Sequence, residues 1–230
     1  DAEQRFSFRD ANALQLDSVD GTTGVTVNDA NATFTIDAGT FTQDTGEIIT
    51  ASGLEIVAGG SVTLTEANAI TTLAADVTGA GNSFDFTEAN GFSVGSVGST
   101  DGVNTVNGAV TLTATTGDIT VTNTAAANDV GAGTSTISIT AADDEADIAI
   151  DASANVEATG SVTLVADKMD LDGTINLGAT SPALVILRPE TVNDVDAVDL
   201  GVIGDGTGTT LELSDAELDN ITATTLRIGP

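Results

Sequence analysis

A chain of 230 residues with 35 acidic and 5 basic side chains has a net charge of -30, which repels nucleic acid and anionic membrane surfaces. It has no Cys and no His, so it can form no disulfide and lacks the common zinc and haem ligands and the thiolate and imidazole groups of many enzymes. No apolar run approaches the roughly 20 residues of a membrane helix. We therefore expect no enzyme, no nucleic-acid partner and no membrane insertion.

The first predicted strands show apolar residues that alternate with polar or small ones. This alternation places the apolar residues on one face of a strand and the others on the opposite face. The first three such pairs are Phe6/Phe8, Leu14/Leu16 and Val25/Val27. Similar pairs continue to Ile175/Leu177, no segment shows a sustained helical period, and the chain is predicted to be all-β.

A strand followed by an acid-Ala-Asn corner recurs along the first half of the chain. The corners begin at Asp10, Asp29, Glu66 and Glu88. The first and third gaps each span one unit of about 20 residues, and the gap from Asp29 to Glu66 is close to two units. Residues 6–25 also align with residues 84–103 without a gap. A unit this short buries its apolar face only by lying on its neighbours.

A second repeat has the form Gly-x-Val-Thr-Leu. It begins at Gly60, Gly108 and Gly160. The copies are about 50 residues apart, which predicts that copies two or more turns apart carry the same strand.

The last part of the single domain, residues 181–230, is less regular. The apolar run 183–187 is predicted to be a strand covered on both faces. Ser214 and Glu217 fit a capping box for one helical turn, but residues 211–216 also fit the pattern of a strand and its corner. The sequence leaves these two interpretations open.

Short β repeats fit either a parallel solenoid or antiparallel hairpins packed in a sandwich. Asp20-Gly21, Asn107-Gly108 and Asp172-Gly173 are typical hairpin turns, but they follow no hairpin rhythm. A unit of about 20 residues is the length of one solenoid turn. The prediction is a right-handed parallel β-helix with about 20 residues per turn.

Three strings resemble the repeats of large bacterial surface proteins of the filamentous-haemagglutinin type. They are residues 108–114, residues 117–121, and residues 213–221 with 225–229. The resemblance implies an exported β-helical stalk or adhesin, located outside the cell or on its surface, without catalytic residues and with a host or cell surface as a candidate ligand. Because Asp1 is not a Met, we expect a processed product or a piece of a longer protein.

Acidic clusters are the candidate sites for a cation. Asp170 and Asp172 alternate on a predicted strand, and Asp143 and Asp144 are adjacent, so Ca²⁺ is the one cofactor considered. A solvated acidic surface explains the same clusters. The alternative function is a β-helix that binds Ca²⁺ or carbohydrate or acts on polysaccharide, and it predicts a lateral groove that gathers acids and aromatic residues.

Rows of Thr resemble those of ice-binding solenoids, as in Thr111-x-Thr113 and Thr63-x-Thr65. Thr is also a favourable residue on an exposed strand, and the sequence predicts rows that are not continuous from one unit to the next. Asn at the corners would stack into a side-chain amide ladder if the repeat were strict. The predicted ladder residues are Asn12, Asn31, Asn68 and Asn90.

Both ends of the chain read as ordinary turns of the solenoid, without an amphipathic helix to cover the terminal strands. Three of the five basic residues lie there. The prediction is an assembly interface with a second copy stacked head to tail, or with further repeats of the same chain. Its residues are Arg5, Phe6, Phe8, Arg9, Leu226, Arg227 and Ile228.

Overall fold

The computed structural model describes residues 5–27, 33–178, 183–190, 197–201 and 210–229. Strands account for 58% of it and helix for 2%, which confirms the all-β prediction. In these ranges no helix is long and apolar enough to cross a membrane.

The strands are short and follow one another closely. The first nine are β1 (Arg5–Asp10), β2 (Leu14–Leu16), β3 (Val25–Thr26), β4 (Thr33–Ala38), β5 (Phe41–Gln43), β6 (Ile49–Ala58), β7 (Val62–Val77), β8 (Phe84–Glu88) and β9 (Phe92–Val94). The next twelve are β10 (Ser96–Val97), β11 (Thr100–Asp101), β12 (Val103–Thr105), β13 (Val110–Ala114), β14 (Ile119–Val121), β15 (Val130–Gly131), β16 (Thr136–Ala141), β17 (Asp147–Ile150), β18 (Asn155–Glu157), β19 (Ser161–Val165), β20 (Lys168–Leu171) and β21 (Thr174–Asn176). The last elements are β22 (Leu184–Arg188), β23 (Ala197–Leu200), β24 (Thr210–Leu213), helix α1 (Asp215–Asp219), β25 (Ile221–Thr222) and β26 (Thr225–Ile228).

Parallel pairing arranges most of these strands in three ladders. The first ladder is β1, β4, the second half of β6, the end of β7, β12, β15, β18, β21 and β25. The second is β2, β5, the start of β7, β8, β13, β16, β19, β22 and β26. The third is β3, the start of β6, the middle of β7, β9, β14, β17 and β20. The chain visits the ladders in this order, and we call one such visit to all three a rung.

Two further strands lie beside the end of the third ladder and form a separate two-stranded sheet. Strand β24 packs against β20, and its Leu211 and Leu213 are fully buried in the common core. Strand β23 pairs in parallel with β24. Spatially the order is β20, β24, β23, although β23 precedes β24 in the chain. Within the described residues, the first and second ladders each have nine paired levels and the third has seven.

The core consists of the alternate residues of the strands. Val62, Val110 and Val162 are each 0 or 1% exposed and lie in one column of the second ladder. Phe84 and Ile137 occupy the levels between them. The three copies of Gly-x-Val-Thr-Leu are therefore two rungs apart, as the sequence predicted.

The gapless alignment of residues 6–25 with 84–103 does not relate equivalent positions. Phe6 lies in the first ladder, opposite Phe34, whereas Phe84 lies in the second ladder, opposite Val62. The reason is that a strand and its corner occur more than once in each rung, so the sequence pattern repeats faster than the rung does.

The length of a rung varies. Thr33 pairs with Gly53, which gives this rung the length expected from the sequence. The rung from Ile119 to its partner Ile148 is longer by almost half, because the corners between these strands are longer. A register is set by the strands alone, so corners of different length leave the ladder intact.

Antiparallel pairing in the described ranges is confined to two small hairpins, which excludes the sandwich. Asp20 and Gly21 have φ of 52° and 77° and turn the chain between Val19 and Thr22, as the Asp-Gly signal predicted. The second hairpin, β10 with β11, lies against β6 and β7 on the outer side of the first ladder.

Two expectations for the last third are settled. Val185 and Leu187 are fully buried, but Ile186 between them is half-buried, so this strand alternates and is not covered on both faces. Ser214 and Glu217 form the capping box of α1, and the strand β24 precedes it. The two interpretations of this segment thus describe successive elements.

Candidate assembly interface

The N-terminal rung leaves the interior uncovered. Strands β1, β2 and β3 each pair on one side only within the described residues. Phe6 and Phe8 are 49% and 39% exposed, whereas their neighbour Phe34 is 3% exposed. Phe6 and Phe8 therefore occupy core positions of a ladder that has no further level within the described residues.

An apolar depression lies at this end. The ring of Phe6 packs on that of Phe34, with centroids 5.4 Å apart. The floor and walls are Phe6, Phe8, Leu14, Leu16, Val25, Phe34, Ile36 and Phe41. Gln15 is the single polar residue of the lining, so the depression fits apolar side chains better than a polar ligand.

The C-terminal end is uncovered in the same way. Strands β25, β26 and β23 each pair on one side only in the part of the chain that the structure describes. Leu226 is 40% exposed opposite a fully buried Val185, and Leu200 in β23 is 54% exposed. Ile228 lies half-buried opposite Leu187.

The exposed apolar side chains concentrate at these two ends. Within the described ranges seven large apolar residues are exposed, and four of them lie in the terminal strands. Those four are Phe6, Phe8, Leu200 and Leu226; the other three are Val19, Ile48 and Val106. Contiguous exposed apolar surface of this kind is typical of an interaction surface.

The two ends present matching columns. Phe8 begins a column of the first ladder that passes through Ile36, Ile56, Ala75, Val103, Val130, Val156, Ile175 and Ile221. The column is apolar at every level. A second copy stacked on the first would place Ile221 next to Phe8 and continue it.

The basic residues of the ends are exposed, but one is already paired. Arg9 forms an ion pair of 2.8 Å with Asp37 on the next rung, and the two side chains are 84% and 44% exposed. Arg5 and Arg227 are exposed, and Arg227 stands opposite Ile186. The charge of Arg9 is thus already balanced by Asp37 within the molecule.

Comparisons with known proteins give no indication of function, so the proposal below is argued from the geometry of the molecule. No family model, curated protein or solved structure matches this chain. The resemblance to proteins of the filamentous-haemagglutinin type stays a prediction from the sequence.

The structure does not bring the predicted asparagine ladder together. Asn68 is fully buried and stands opposite Glu88 in the register, whereas Asn90 lies two residues beyond Glu88 and is exposed. Asn12 is exposed at a different corner, where it donates to Asp10. Asn31 lies outside the described residues. The corner at Asp10 connects the first ladder to the second, whereas the corners at Glu66 and Glu88 both connect the second ladder to the third. A register shift between Leu64 and Asn68 places Asn68 opposite Glu88, so the asparagines do not share a column.

Instead of an asparagine ladder, the structure has a cluster of hydrogen bonds around Asn68, which the sequence did not reveal. The Oδ1 atom of Asn68 accepts from the Ile49 amide at 2.9 Å and from Nε2 of Gln43 at 2.6 Å, and its Nδ2 donates to the Thr87 carbonyl at 3.0 Å. Glu88 accepts from the Ile70 amide at 3.2 Å. Burial raises the pKa of Glu88, and hydrogen bonds from the neighbouring backbone partly offset this. Glu88 begins one of the predicted corners, which is the one sequence signal for it.

The calcium candidates form no closed site. Among the described residues no group of three or more acidic side chains could hold a metal ion. Burial, and then repulsion from Asp172, Glu217 and Asp151, raises the pKa of Asp170. Asp143 caps a turn, where its carbonyl accepts from the Ala146 amide, and Asp144 is exposed.

The hairpin of β10 and β11 is held by a buried carboxylate. Glu55 projects outward from β6, is 5% exposed, and accepts from the Ser99 amide at 2.7 Å and from the hydroxyls of Thr100 and Thr35 at 3.1 and 2.9 Å. Burial alone would raise the pKa of Glu55, but these hydrogen bonds outweigh it and the pKa lies below its usual value. A side chain at Gly98 would collide with this carboxylate.

Proposed function

We propose that this protein is a non-enzymatic structural module whose three ladders close into a right-handed parallel β-helix, and that copies of it stack end to end into an extracellular filament or adhesin stalk. The observation that carries the proposal is the uncovered apolar interior at both ends, with columns that match between them. Nine rungs at about 4.8 Å each add about 40 Å of filament per copy.

Stacking of copies would pair the free backbone edges of the terminal rungs and would bury their exposed apolar side chains. The unpaired backbone edges of β1, β2 and β3 would meet those of β25, β26 and β23, and the ladder hydrogen bonds would continue. Phe6, Phe8 and Leu226 would lose their exposed area to apolar neighbours, and burial of such a side chain is worth about 1.5–3 kcal/mol. A heterologous contact between two different ends does not close on itself, so it generates an open filament.

The lateral surface offers little for the alternative functions. All seven Phe residues lie either in the core or in the N-terminal rung, and the chain has no Trp or Tyr. A carbohydrate groove would have no aromatic side chain on which a sugar could stack. This supports an assembly role over binding or hydrolysis of polysaccharide.

Secretion and a surface location belong to the same proposal. A chain without Cys needs no oxidising step to fold outside the cell, and a charge of -30 keeps the sides of neighbouring filaments apart. A host or cell surface is then the partner expected at the tip of such a stalk.

The test compares the purified chain with Leu226→Glu by electron microscopy and analytical ultracentrifugation. The wild-type chain should form filaments whose length rises with protein concentration. Leu226→Glu should leave mostly single rods, because a carboxylate would be buried at every junction. Val106→Glu is the matched control, since Val106 is similarly exposed, at 44%, but lies away from both ends.

Two outcomes would count against the proposal. The first is a wild-type chain that stays monomeric at high concentration, and the second is equal shortening by Leu226→Glu and Val106→Glu. A monomeric chain would instead point to further repeats of the same polypeptide as the neighbours of the end rungs.

A further inference from the structure

The outer face of the second ladder carries two rows of side chains, most of which have a hydroxyl group. Thr63, Asp85, Thr111, Ser138 and Thr163 follow one another in register on five successive strands. Beside them, Thr87, Thr113 and Thr140 form a second row, which ends on the fourth strand at Val165, a buried residue that is 5% exposed. The sequence predicted rows that are not continuous from one unit to the next. In the structure the strands stay in register, and Asp85 is the one interruption of the first row.

The hydroxyls of these rows point away from the core. The residues that flank them in each strand, such as Leu112 between Thr111 and Thr113, are fully buried, and alternate residues of a strand face opposite sides. Seven of the nine row positions are Thr or Ser. Within residues 33–178, none of these seven hydroxyls bonds to another protein group, so all are available to an external partner.

The face is poor in charge, although the molecule is strongly acidic. Asp85 is the single ionisable residue of the nine positions, in a chain with 35 acidic residues. A polyanionic or cationic ligand would find no matching charges here, and a sugar would find no aromatic platform. The partner that fits is neutral, extended and held by hydroxyl and methyl groups at regular intervals.

The spacing of the rows is set by the sheet. Neighbouring strands lie about 4.8 Å apart, and alternate residues along one strand lie about 6.7 Å apart. Both distances are similar to the repeats of water oxygens on the faces of hexagonal ice. Ordered water can bridge such hydroxyls almost as favourably as a direct hydrogen bond. We propose that this face, formed by the start of β7 with β8, β13, β16 and β19, binds the surface of ice.

This inference goes beyond the proposed filament and does not depend on it, since the face runs along the side of the molecule and the end rungs take no part. A filament would repeat the face along its length and increase its avidity for a crystal. A single copy would bind as well.

The experiment measures uptake of the purified chain into slowly growing ice, together with thermal hysteresis. The wild-type chain should be enriched severalfold in ice over a non-binding protein of similar size. Thr111→Tyr should abolish the enrichment, because a bulky ring in the middle of the rows holds the face off the crystal. Thr120→Tyr is the control, since Thr120 lies on the same rung but faces outward from β14 in the third ladder.

A second variant distinguishes loss of the face from misfolding, because it is expected to increase binding. Asp85→Thr should increase both enrichment and hysteresis, because it places a hydroxyl between those of Thr63 and Thr111 and removes the carboxylate charge from this row. The proposal is overturned if the wild-type chain is not enriched in ice, if Thr111→Tyr and Thr120→Tyr behave alike, or if Asp85→Thr reduces binding. Sedimentation of the same variants would show whether the face instead pairs two copies side by side, which would also overturn it.

Discussion

Leu14 and Leu226 occupy the same column of the second ladder at opposite ends of the molecule. The register leads from Leu14 through Phe41, Val62, Phe84, Val110, Ile137, Val162 and Val185 to Leu226. The nine positions are all apolar. Stacking of two copies in this register would make Leu14 of one the next level after Leu226 of the other.

A disulfide can test this register, because the chain has no Cys of its own. Neighbouring strands place paired Cα atoms about 4.8 Å apart, which is within the range of a disulfide. A mixture of Leu14→Cys and Leu226→Cys should give a covalent heterodimer on mild oxidation, visible on a non-reducing gel. Gln15→Cys in place of Leu14→Cys faces outward and should crosslink several times less. Equal yields from both mixtures would exclude the register.

Filament length should depend on ionic strength. Two ends of a molecule with a charge of -30 repel each other over a distance set by the Debye length, which falls from about 30 Å at 0.01 M salt to about 3 Å at 1 M. We expect length to increase over this range, and light scattering would follow it. Shortening with salt would mean that Arg5, Arg9 and Arg227 dominate the junction through ion pairs.

Asn68→Ala should destabilise the fold by about 3 kcal/mol, since several buried groups lose a hydrogen-bond partner at about 1–3 kcal/mol each. The Ile49 amide and the Thr87 carbonyl are among them. The midpoint of urea denaturation measures the effect. Asn12→Ala, at an exposed corner, is the matched control and should change stability by less than about 0.5 kcal/mol. Similar losses in the two variants would contradict the assignment of Asn68 to the core.

Glu55→Gln should loosen the β10–β11 hairpin at neutral pH. The pKa of Glu55 is lower in the folded chain than its ordinary 4.5, so the carboxylate stabilises the fold above that value and stops doing so as the pH falls through the folded pKa. We expect a loss of about 1–3 kcal/mol at pH near 7, from weakened hydrogen bonds to a charged group, and little difference in acid.

The stability of Glu55→Gln is compared with that of the wild-type chain by thermal unfolding, once at a pH near 7 and once in acid, below the folded pKa of Glu55. Asp144→Asn, at an exposed acidic residue, is the control and should change stability by less than about 0.5 kcal/mol. A difference that persists in acid would show that the carboxylate charge is not what holds the hairpin.

Alternation of apolar residues predicted the core well. The Gly-x-Val-Thr-Leu repeat identified Val62, Val110 and Val162 as equivalent positions, and the register places them in one column. Phe6, Phe8 and Leu226 follow the same alternation as the inner strands. The sequence therefore predicted that they are core residues of terminal strands that nothing covers. The pattern within one strand is sufficient to predict its core residues, because each strand packs on strands with the same alternation of apolar residues.

Other features depend on contacts that local pattern does not encode. Rung length is set by corners, whose residues need only join two strands, so the long rung from Ile119 to Ile148 leaves no periodic signal. The bonds between Glu55 and Ser99 join parts of the chain that lie two rungs apart. Gln43 donates to Asn68, and Glu88 stands opposite Asn68 in the register; because the three residues differ in type, a search for repeated asparagines misses them.

The reversed order of β23 and β24 bears on how the molecule is completed during synthesis. Levels up to β20 can be added to the third ladder one after another as the polypeptide emerges, since every new strand finds its template already in place. Strand β23 emerges before the strand that separates it from β20, so it has no template until residues 210–213 arrive. Strands β23 and β24 therefore reach their places beside β20 together, in one late step that waits for the synthesis of residues 210–213.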